Sequence, residues 1–523
     1  MPRGPRRTSV LRSCASLPLA LTLGLVALGS LDSVRWNPAL LWSFLGAATA
    51  LGAWHVVLLV SAWRTGRTLT LEIVVRKQHY LQACVQGSVL LYWGWYWRQV
   101  YDSAHLIAAQ LVFAYAFDML LSWSRRDNYT LGFGPFPVIF SINLFLWFKP
   151  DWFYFQFLMV ALGFAAKEFI RWDKEGQRAH IFNPSSLPLA IFSLGLILTG
   201  TSDLTWGQDI ASTQFYPPHM YAMLFLIGLP GQFFFGVASM TLSAVVTTYL
   251  FGLVYYAATG IYFFYDSYIP IAVFLGMHLL FTDPSTSPRT ELGRVIYGML
   301  YGLSTLALYE LLGTAGLPTF YDKLLPVPIL NLSITFIDRA ARSTRLHKFD
   351  PATLGRWLAP RQRHLAYMSV WAIVFGVMSA TQAVGDHHPG QWLPFWQQAC
   401  EDERPYACGY LGDMQAGFCD RGSGWACNEL GILQAERQLD LAGAVESMLR
   451  ACELRFSPAC VNANSVASAG TLERAPPTLD DYPIILRGSK GPVTERRPSA
   501  LYDLACREGW PDACGRLPFA SRP

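Results

Sequence analysis

Charged residues are scarce in this chain. Asp, Glu, Lys and Arg make up 15% of its 523 residues, against about 25% in an average soluble protein, while 52% are hydrophobic. The shortage lies almost entirely before residue 384, where apolar runs alternate with short polar segments. This distribution excludes an ordinary soluble domain over that stretch. It predicts an all-α fold, a polytopic bundle of transmembrane helices whose partner is the lipid bilayer.

Cysteine is nearly absent before residue 400, where only two of the ten cysteines occur. The other eight form four pairs, each with seven intervening residues, and this regular spacing predicts disulfides. Zinc sites favour ligands about two to four residues apart and do not fit the spacing. Because disulfides persist in oxidising compartments, we expect residues 385–523 to lie outside the cytoplasm. The predicted pairs are Cys400 with Cys408, Cys419 with Cys427, Cys452 with Cys460, and Cys506 with Cys514.

The apolar runs predict about 11–13 membrane spans. The first run, Leu17 to Leu31, follows several arginines and lacks a clear small-x-small cleavage site, so it is interpreted as an uncleaved span. Runs shorter than the ~20 residues of a straight span, or broken by Pro or Gly, are expected to be half-helices. The further runs are centred near residues 50, 88, 112, 141, 160, 192, 225, 245, 274, 304, 330 and 374.

Basic residues are concentrated in alternate loops. With the N-terminus inside and thirteen spans, every basic loop lies in the cytoplasm and the cysteine region lies outside. This predicts a multi-pass protein of the bacterial inner membrane, whose basic excess faces anionic lipid and not nucleic acid. The predicted domains are 1–70 (N-terminal spans), 71–338 (main bundle), 339–364 (basic cytoplasmic loop), 365–384 (last span) and 385–523 (extracytoplasmic domain).

Two polar stretches stand apart from ordinary loops. The first, residues 171–186, ends in Asn183, Pro184, Ser185 and Ser186, which is typical chemistry for the start of a helix. One interpretation is a capped helix after a topogenic loop. The other is a helix N-terminus that receives an anionic or carbonyl-bearing ligand.

The second stretch, residues 281–298, contains two prolines that interrupt a helix among hydroxyl and carboxyl side chains. Gly298 and Gly302 on the following helix have the spacing typical of close helix packing. The polar residues of this stretch are Thr282, Asp283, Ser285, Ser287, Arg289, Arg294 and Tyr297.

Together these stretches resemble a known family. Phe182-Asn183-Pro184, then Thr282-Asp283-Pro284 and Gly293-Arg294-x-x-Tyr297-Gly298, look like the flavin-carrying membrane subunits of the Rnf electron-transport complex and of the sodium-pumping NADH:quinone oxidoreductase, with relatives associated with enediyne biosynthesis. The resemblance covers residues 70 to 335. It implies inverted repeats, about ten spans, a bound riboflavin, and an FMN esterified to a threonine of an outer Ser-Gly-Ala-Thr motif.

The outer loop of this chain, residues 201–213, contains no Ser-Gly-Ala-Thr, and its nearest candidates, Thr205 and Thr213, are not expected to carry FMN. The resemblance therefore implies a non-covalent flavin, riboflavin or FMN. Alternatively, both loops merely stiffen helix ends. The candidate flavin-binding residues are Asn183, Ser185, Ser186, Thr282, Asp283, Ser285, Ser287, Arg289, Arg294 and Tyr297.

Ionisable residues inside spans are costly and often functional. Asp118 and Glu168 are candidates for a proton or ion route. Asp118 is as readily explained by an interhelical hydrogen bond, and Glu168 by reaching the membrane interface beside Lys167. His278 is interpreted as a buried, hydrogen-bonded histidine.

The cysteine-rich segments carry Ala-Cys steps and glycine turns at recurring positions, and they resemble Sel-one-like repeats, relatives of tetratricopeptide repeats. In that family each Cys-x7-Cys pair ties the second helix of one repeat to the first helix of the next. The resemblance implies a domain that docks an extracytoplasmic protein partner.

These features predict an integral membrane electron-transfer subunit, a possible component of a membrane oxidoreductase that works with other redox subunits. A solute or ion transporter is an alternative, because inverted repeats also suit permeation. A membrane scaffold or assembly factor without cofactors is another, and the missing Ser-Gly-Ala-Thr favours both alternatives.

Overall fold

The computed structural model describes residues 10–12, 16–174, 176–385, 388–391, 393–420, 422–470, 472, 503 and 506. Over these residues the chain is mainly α-helical, so the all-α prediction is confirmed. The protein divides into two compact units. The first comprises Met1–Thr248 and Ile271–Val377, and the second comprises Tyr249–Pro270 and Met378–Pro523.

Each of the thirteen apolar runs coincides with a helix. Several helix starts carry the side-chain cap that the local sequence indicates. At α3, for example, the side chain of Asn37 accepts a hydrogen bond from the Leu40 N–H at 3.0 Å and Pro38 is the first helical residue. The helices are α1 (Leu17–Gly29), α2 (Asp32–Arg35), α3 (Pro38–Thr65), α4 (Lys77–Tyr96), α5 (Gln99–Asp102), α6 (Ala104–Arg125), α7 (Pro135–Asn143), α8 (Tyr154–Phe169), α9 (Ser186–Thr199), α10 (Gly207–Thr213), α11 (Met220–Phe235), α12 (Ala238–Thr259), α13 (Ile271–Leu279), α14 (Glu291–Thr314), α15 (Pro326–Ala341), α16 (Pro351–Leu354) and α17 (Pro360–Ala380).

Five helical segments are long and apolar enough to cross a membrane, which supports the polytopic prediction. Several other apolar helices are shorter: α1, α9 and α11 have 13, 14 and 16 residues. Two of the apolar runs form helices of only nine residues, α7 and α13, which correspond to the expected half-helices. The five long segments are Pro38–Thr65, Ala104–Arg125, Ala238–Thr259, Glu291–Thr314 and Thr319–Ala341.

One order of elements occurs twice in the bundle. The set α4, α6, α7, α8, α9 is followed by the set α11, α12, α13, α14, α15. In both sets the third helix has nine residues and is followed by a 3-10 turn that begins at proline, Pro150–Trp152 and Pro284–Thr286. The sets meet through equivalent members, since α4 packs against α11 and α9 against α15. The two sets therefore share one order of helices, which agrees with the two repeats that the resemblance implies.

Short strands join the connecting loops. Strand β1 (Val10–Arg12) pairs antiparallel with β2 (Thr70–Ile73), which pairs in parallel with β3 (Asn128–Leu131). The register places Val10 opposite Glu72 and Thr70 opposite Asn128. Sequence patterns did not predict these strands because each has only three or four residues. They connect three segments that the basic-loop pattern assigns to the same side of the membrane.

A β-hairpin replaces the expected loop before α9. Strands β4 (Arg171–Lys174) and β5 (Gln177–His180) pair antiparallel with Arg171 opposite His180. The turn requires Gly176, whose φ is +76° and whose N–H donates to Asp173 Oδ1 at 2.9 Å. The hairpin places His180 beside the chain that leads into α9.

Gly298 and Gly302 of α14 allow the close helix packing that their spacing predicts. A Cβ atom on Gly298 would overlap the Met240 carbonyl oxygen and Ser243 Oγ, both on α12. A Cβ on Gly302 would lie 3.0 Å from the Ala244 carbonyl oxygen. The backbone of α14 therefore rests directly on α12.

In the second unit, disulfides join successive helices: α18 (Leu393–Glu401), α19 (Ala407–Asp420), α20 (Gly424–Leu433), α21 (Leu441–Glu453) and α22 (Ser457–Ala469). Bridges Cys400–Cys408, Cys419–Cys427 and Cys452–Cys460 have Cα separations of 4.6, 4.7 and 4.9 Å. Three of the four predicted disulfides are thus confirmed. Cys514 lies outside the described residues.

The second unit also includes a segment that sequence patterns assigned to the bundle, Tyr249–Pro270. The Tyr262 ring lies 4.7 Å from the Phe395 ring and 4.3 Å from the His388 ring. Arg404 Nη1 donates to the Gly260 carbonyl oxygen at 2.8 Å. This segment therefore shares a core with the disulfide-linked helices.

We expect Gly298→Ala to lower the thermal stability of the detergent-solubilised protein, because the added methyl group overlaps backbone and side-chain atoms of α12. Overpacking of this kind costs about 1–3 kcal/mol. The matched control is Gly195→Ala on α9, where no heavy atom lies within 4 Å of the new Cβ. Alanine is the better helix former, so the control is expected to leave the melting temperature unchanged or to raise it. Equal melting temperatures for the two variants would contradict this packing.

Candidate functional site

Asn183 organises the entry to α9. Its Oδ1 accepts hydrogen bonds from the Ser185 N–H at 2.9 Å and from Ser185 Oγ at 2.8 Å. A longer bond of 3.3 Å comes from the Ser186 N–H. Its Nδ2 donates to the Leu280 carbonyl oxygen at 3.0 Å, just beyond the half-helix α13. The predicted helix cap is therefore present, and it also joins α9 to the second repeat.

Asn331 on α15 connects the two polar stretches that the sequence analysis singled out. Its Oδ1 accepts from the Asn183 N–H at 3.1 Å. Its Nδ2 donates to Tyr297 Oη at 2.8 Å and to the Thr286 carbonyl oxygen at 3.1 Å. Asn331 is fully buried. One carboxamide thus satisfies groups from α14 and from the chain segments before α9 and after α13.

Asp283 holds the 3-10 turn that follows α13. Its carboxylate accepts from the Ser285 N–H at 3.1 Å, from Ser285 Oγ at 2.6 Å and from Thr286 Oγ1 at 3.2 Å. His180 Nε2 lies 3.0 Å from Ser285 Oγ and 3.8 Å from Asp283 Oδ2. The β4–β5 hairpin therefore reaches the Thr-Asp-Pro segment through a histidine that the sequence analysis did not select.

Ser285, His180 and Asp283 are the residue types of a hydrolase triad, but their geometry differs from one. In a triad the carboxylate binds the histidine nitrogen that faces away from the serine. Here the carboxylate binds the serine hydroxyl itself and approaches the same histidine nitrogen, Nε2. The arrangement stabilises a turn and does not activate a nucleophile.

The pKa of Asp283 lies below its ordinary value of 3.8. Burial alone would raise this pKa, because desolvation penalises the carboxylate. The favourable interaction with His180, 3.8 Å away, and the hydrogen bonds from Ser285 outweigh that effect and favour the ionised form. The ionised carboxylate is thus part of the folded loop.

Asp338 on α15 fixes the start of α14. Its carboxylate accepts from the Arg289 N–H at 3.0 Å, from the Thr290 N–H at 3.0 Å and from Thr290 Oγ1 at 2.8 Å. Thr290 in turn caps α14 by accepting from the Gly293 N–H at 3.0 Å. Glycine is required at 293 because a Cβ there would overlap Thr290 Oγ1.

Arg294 and Tyr297 extend the same polar region into the bundle. Arg294 donates to the carbonyl oxygens of Pro288 at 3.0 Å and Gly236 at 2.7 Å. The Tyr297 ring stacks on Phe281 at 5.9 Å with an interplanar angle of 9°. The guanidinium therefore pairs with the backbone just before α14 and just after α11, and the phenol with Asn331.

The other predicted residues have local roles. Ser287 Oγ donates to the Pro284 carbonyl oxygen at 3.2 Å, and Thr282 Oγ1 donates to the His278 carbonyl oxygen at 2.7 Å. Asp118 accepts from Tyr129 Oη at 3.3 Å. Glu168 accepts from Arg126 at 2.9 Å and from Arg171 at 2.7 Å. These contacts place Asp118 and Glu168 in separate local pairings, and the route that would connect them stays a prediction.

The loop of residues 201–213, where the sequence analysis sought the Ser-Gly-Ala-Thr motif, lies beside several tryptophans. Trp147 lies 5.5 Å from Trp97 with a near-parallel ring, and Trp206 lies 6.3 Å from Trp97. Thr213 is buried and accepts from Trp93 Nε1 at 3.1 Å. Thr205 is buried and donates to the Ser202 carbonyl oxygen at 2.9 Å. Both threonine hydroxyls are therefore enclosed in this arrangement.

Three residues of this region escaped the sequence analysis: His180, Asn331 and Asp338. Asn331 and Asp338 occur in Pro326–Ala341, where the apolar pattern dominates and a single polar residue gives no sign of its partners. Their spacing of seven residues places both on one face of α15, which is the signal that could have identified them.

The fold and these contacts define the class of the protein: a bundle of apolar helices, several of them long enough to cross a membrane, that shares its chain with a disulfide-linked helical domain. Comparisons with protein-family models, with curated proteins and with solved structures give no match. The resemblance to the Rnf and sodium-pump subunits therefore stays a prediction that depends on the motif residues.

We expect Asn331→Leu to destabilise the bundle. A leucine of similar size leaves the Asn183 N–H, the Thr286 carbonyl and the Tyr297 hydroxyl without this partner, and each buried unsatisfied group costs about 1–3 kcal/mol. The control is Ile329→Leu, on the exposed side of the same helix, with an expected change within about 0.5 kcal/mol. Thermal unfolding of both variants in detergent measures the difference. A melting temperature for Asn331→Leu equal to that of the control would show that the hydrogen bonds of Asn331 contribute nothing to thermal stability.

The lowered pKa of Asp283 predicts a pH dependence with a definite sign. A carboxyl group whose pKa is lower in the folded protein stabilises it above the unfolded value of 3.8, and this stabilisation is lost as pH falls through the lower folded pKa. Wild type is therefore expected to melt above Asp283→Asn at neutral pH. The difference between the two melting temperatures should become smaller as the pH falls below about 4. A difference in melting temperature that stays constant from neutral to acidic pH would mean that the charge of Asp283 does not stabilise the fold.

Proposed function

We propose that this protein is a membrane-embedded scaffold subunit of a redox assembly, and that its disulfide-linked domain docks a protein partner outside the cytoplasm. The observation that carries the scaffold role is the saturation of the candidate site. The amide, hydroxyl and carboxylate groups of the two polar stretches bind one another and the neighbouring backbone.

The proposal of a redox assembly rests on the resemblance to the Rnf and sodium-pump subunits. The residues that carry this resemblance converge in space, since Asn331 joins Asn183 to the Thr286 backbone and to Tyr297. The repeated order of five elements agrees with the two-repeat bundle that the resemblance implies. Both findings support a common architecture and neither concerns electron transfer itself.

The candidate flavin-binding groups have partners within the protein. Ser185 Oγ bonds to Asn183, Ser285 Oγ to Asp283, and Arg294 to backbone carbonyls. Two cavities in the first unit have volumes of about 30 and 20 Å³. Ligand sites for molecules of drug size typically measure about 300–1,000 Å³. We therefore assign the loops to helix packing and leave the flavin as the competing hypothesis.

The docking role follows from how the helices of the second unit stack. Helices α19, α20, α21 and α22 pack in sequence, each against its neighbour, as in repeat domains that present a binding surface. The disulfides constrain the short connections and suit an oxidising compartment. We infer that this domain faces the periplasm and that the basic loops face the cytoplasm.

Ion transport is a second candidate, favoured by the inverted repeats and by the interrupted spans at α7 and α13. Proteoliposomes that enclose pH-sensitive and sodium-sensitive dyes test it. Flux no greater than in protein-free liposomes eliminates proton and sodium transport by the isolated chain.

The scaffold proposal predicts a colourless protein. We expect the full chain, expressed with added riboflavin and purified in detergent with FMN present, to show no flavin absorption after the free flavin is removed. Acid precipitation then separates any residual non-covalent flavin from covalent flavin. Retention of one flavin per chain would overturn the scaffold role and support electron transfer. In that case Asp283→Ala, which opens the loop, identifies the site if the flavin is lost.

A further inference from the structure

A cavity inside the bundle contains polar groups that the candidate site does not use. It lies among α4, α11 and α13, where the first helices of the two repeats meet. Its volume is about 30 Å³. Gln86, Gln232 and His278 line it, and each is at least nine-tenths buried. Thr282 lines it as well, next to the Asp283 turn.

Four polar atoms at this cavity have no hydrogen-bond partner in the part of the chain that the structure describes. They are Gln86 Oε1, Gln232 Oε1, Gln232 Nε2 and His278 Nε2. The Gln86 amide nitrogen, in contrast, donates to Ser141 Oγ at 2.9 Å. A buried polar group without a partner is destabilising, so this cluster requires an explanation.

The hydrogen bond of His278 determines whether its other ring nitrogen, which faces the cavity, is a donor or an acceptor. Its Nδ1 lies 2.7 Å from the Phe274 carbonyl oxygen. A carbonyl oxygen only accepts, so Nδ1 carries the proton and Nε2 of the neutral ring presents a lone pair to the cavity. The cluster therefore consists of three acceptors, on Gln86, Gln232 and His278, and one donor group, the Gln232 amide.

This pattern selects the chemistry of the occupant. A monovalent cation would satisfy the acceptors and leave the Gln232 amide unsatisfied, and an anion would do the reverse. A neutral molecule that both donates and accepts satisfies both kinds of group. A water molecule needs about 10–15 Å³ of such space and two to four polar partners, so about 30 Å³ holds two.

We propose that the cavity is a hydration site of two water molecules that bridge Gln86 of the first repeat to Gln232 and His278 of the second. Their four O–H groups donate hydrogen bonds to the three acceptors, and their oxygens accept from the Gln232 amide. Gly228 leaves room for this cluster, because a Cβ there would lie 3.2 Å from His278 Cδ2 and 3.7 Å from Gln232 Nε2. The site is independent of the proposed scaffold role.

Replacement of Gln232 by methionine, which has a similar length and no hydrogen-bonding amide, separates a hydrated cavity from a dry one. In a hydrated cavity Gln232→Met removes bonds to both waters, and the melting temperature falls. In a dry cavity the same change removes an unsatisfied amide, and the melting temperature rises. The control is Leu224→Met, a volume-conserving change at a buried position of the same helix that does not line the cavity. We expect Gln232→Met to melt below this control, and melting above wild type would overturn the proposal.

X-ray hydroxyl-radical footprinting of the wild-type protein gives a second readout that needs no variant. Radicals form at bound water, so buried side chains beside water are modified early. We expect His278 to be modified several-fold faster than Phe274, its equally buried neighbour one turn earlier on α13. Equal rates of modification would mean that the cavity is dry and would overturn the proposal, even if Gln232→Met does not fold.

Discussion

The bundle depends on satisfying the backbone where its spans are interrupted. A helix end leaves N–H and C=O groups without partners in the helix itself, and these groups need other partners when they are buried. After α13 these groups are met by side chains from other helices: Asn183 binds the Leu280 carbonyl, and Asn331 binds the Thr286 carbonyl. Asp338 meets the N–H groups that precede α14. The short helix can therefore end inside the protein with these backbone groups paired.

Sequence patterns predicted the parts of this structure that depend on neighbours along the chain. Each of the thirteen apolar runs located a helix, regular spacing identified three described disulfides, and the Gly298 and Gly302 spacing identified a helix contact. The cap at Asn183 was also predictable, because a helix start has a local signature. What the sequence does not encode locally is which distant residue meets a given polar group. Asn331 is 148 residues from Asn183, and nothing near either residue indicates the pairing.

The same limit explains why residue type alone was an insufficient guide to function. Asn183, Ser185, Asp283 and Arg294 have the donors and acceptors that a bound cofactor needs, and the sequence placed them in two stretches that do converge. Whether such groups are free depends on geometry, and here the described contacts use them for the turn and the helix ends. Conversely, Gln86 and Gln232 look like ordinary polar residues in apolar helices. What distinguishes them is that Gln86 Oε1 and both amide atoms of Gln232 are buried without a hydrogen-bond partner among the described residues.

Both disulfides and non-covalent packing stabilise the second unit, and they act at different places. Disulfides close the short connections between α18 and α19, α19 and α20, and α21 and α22, whereas α20 and α21 are joined by a π-helical turn, Gln434–Gln438, without one. Small repeats bury little apolar surface, so such bridges offset what their core lacks. The aromatic segment Tyr249–Pro270 adds to that core through Ile261 and Tyr262. The end of α12 and the chain that leads to α13 thus complete the fold of a domain whose other residues begin more than a hundred positions later in the sequence.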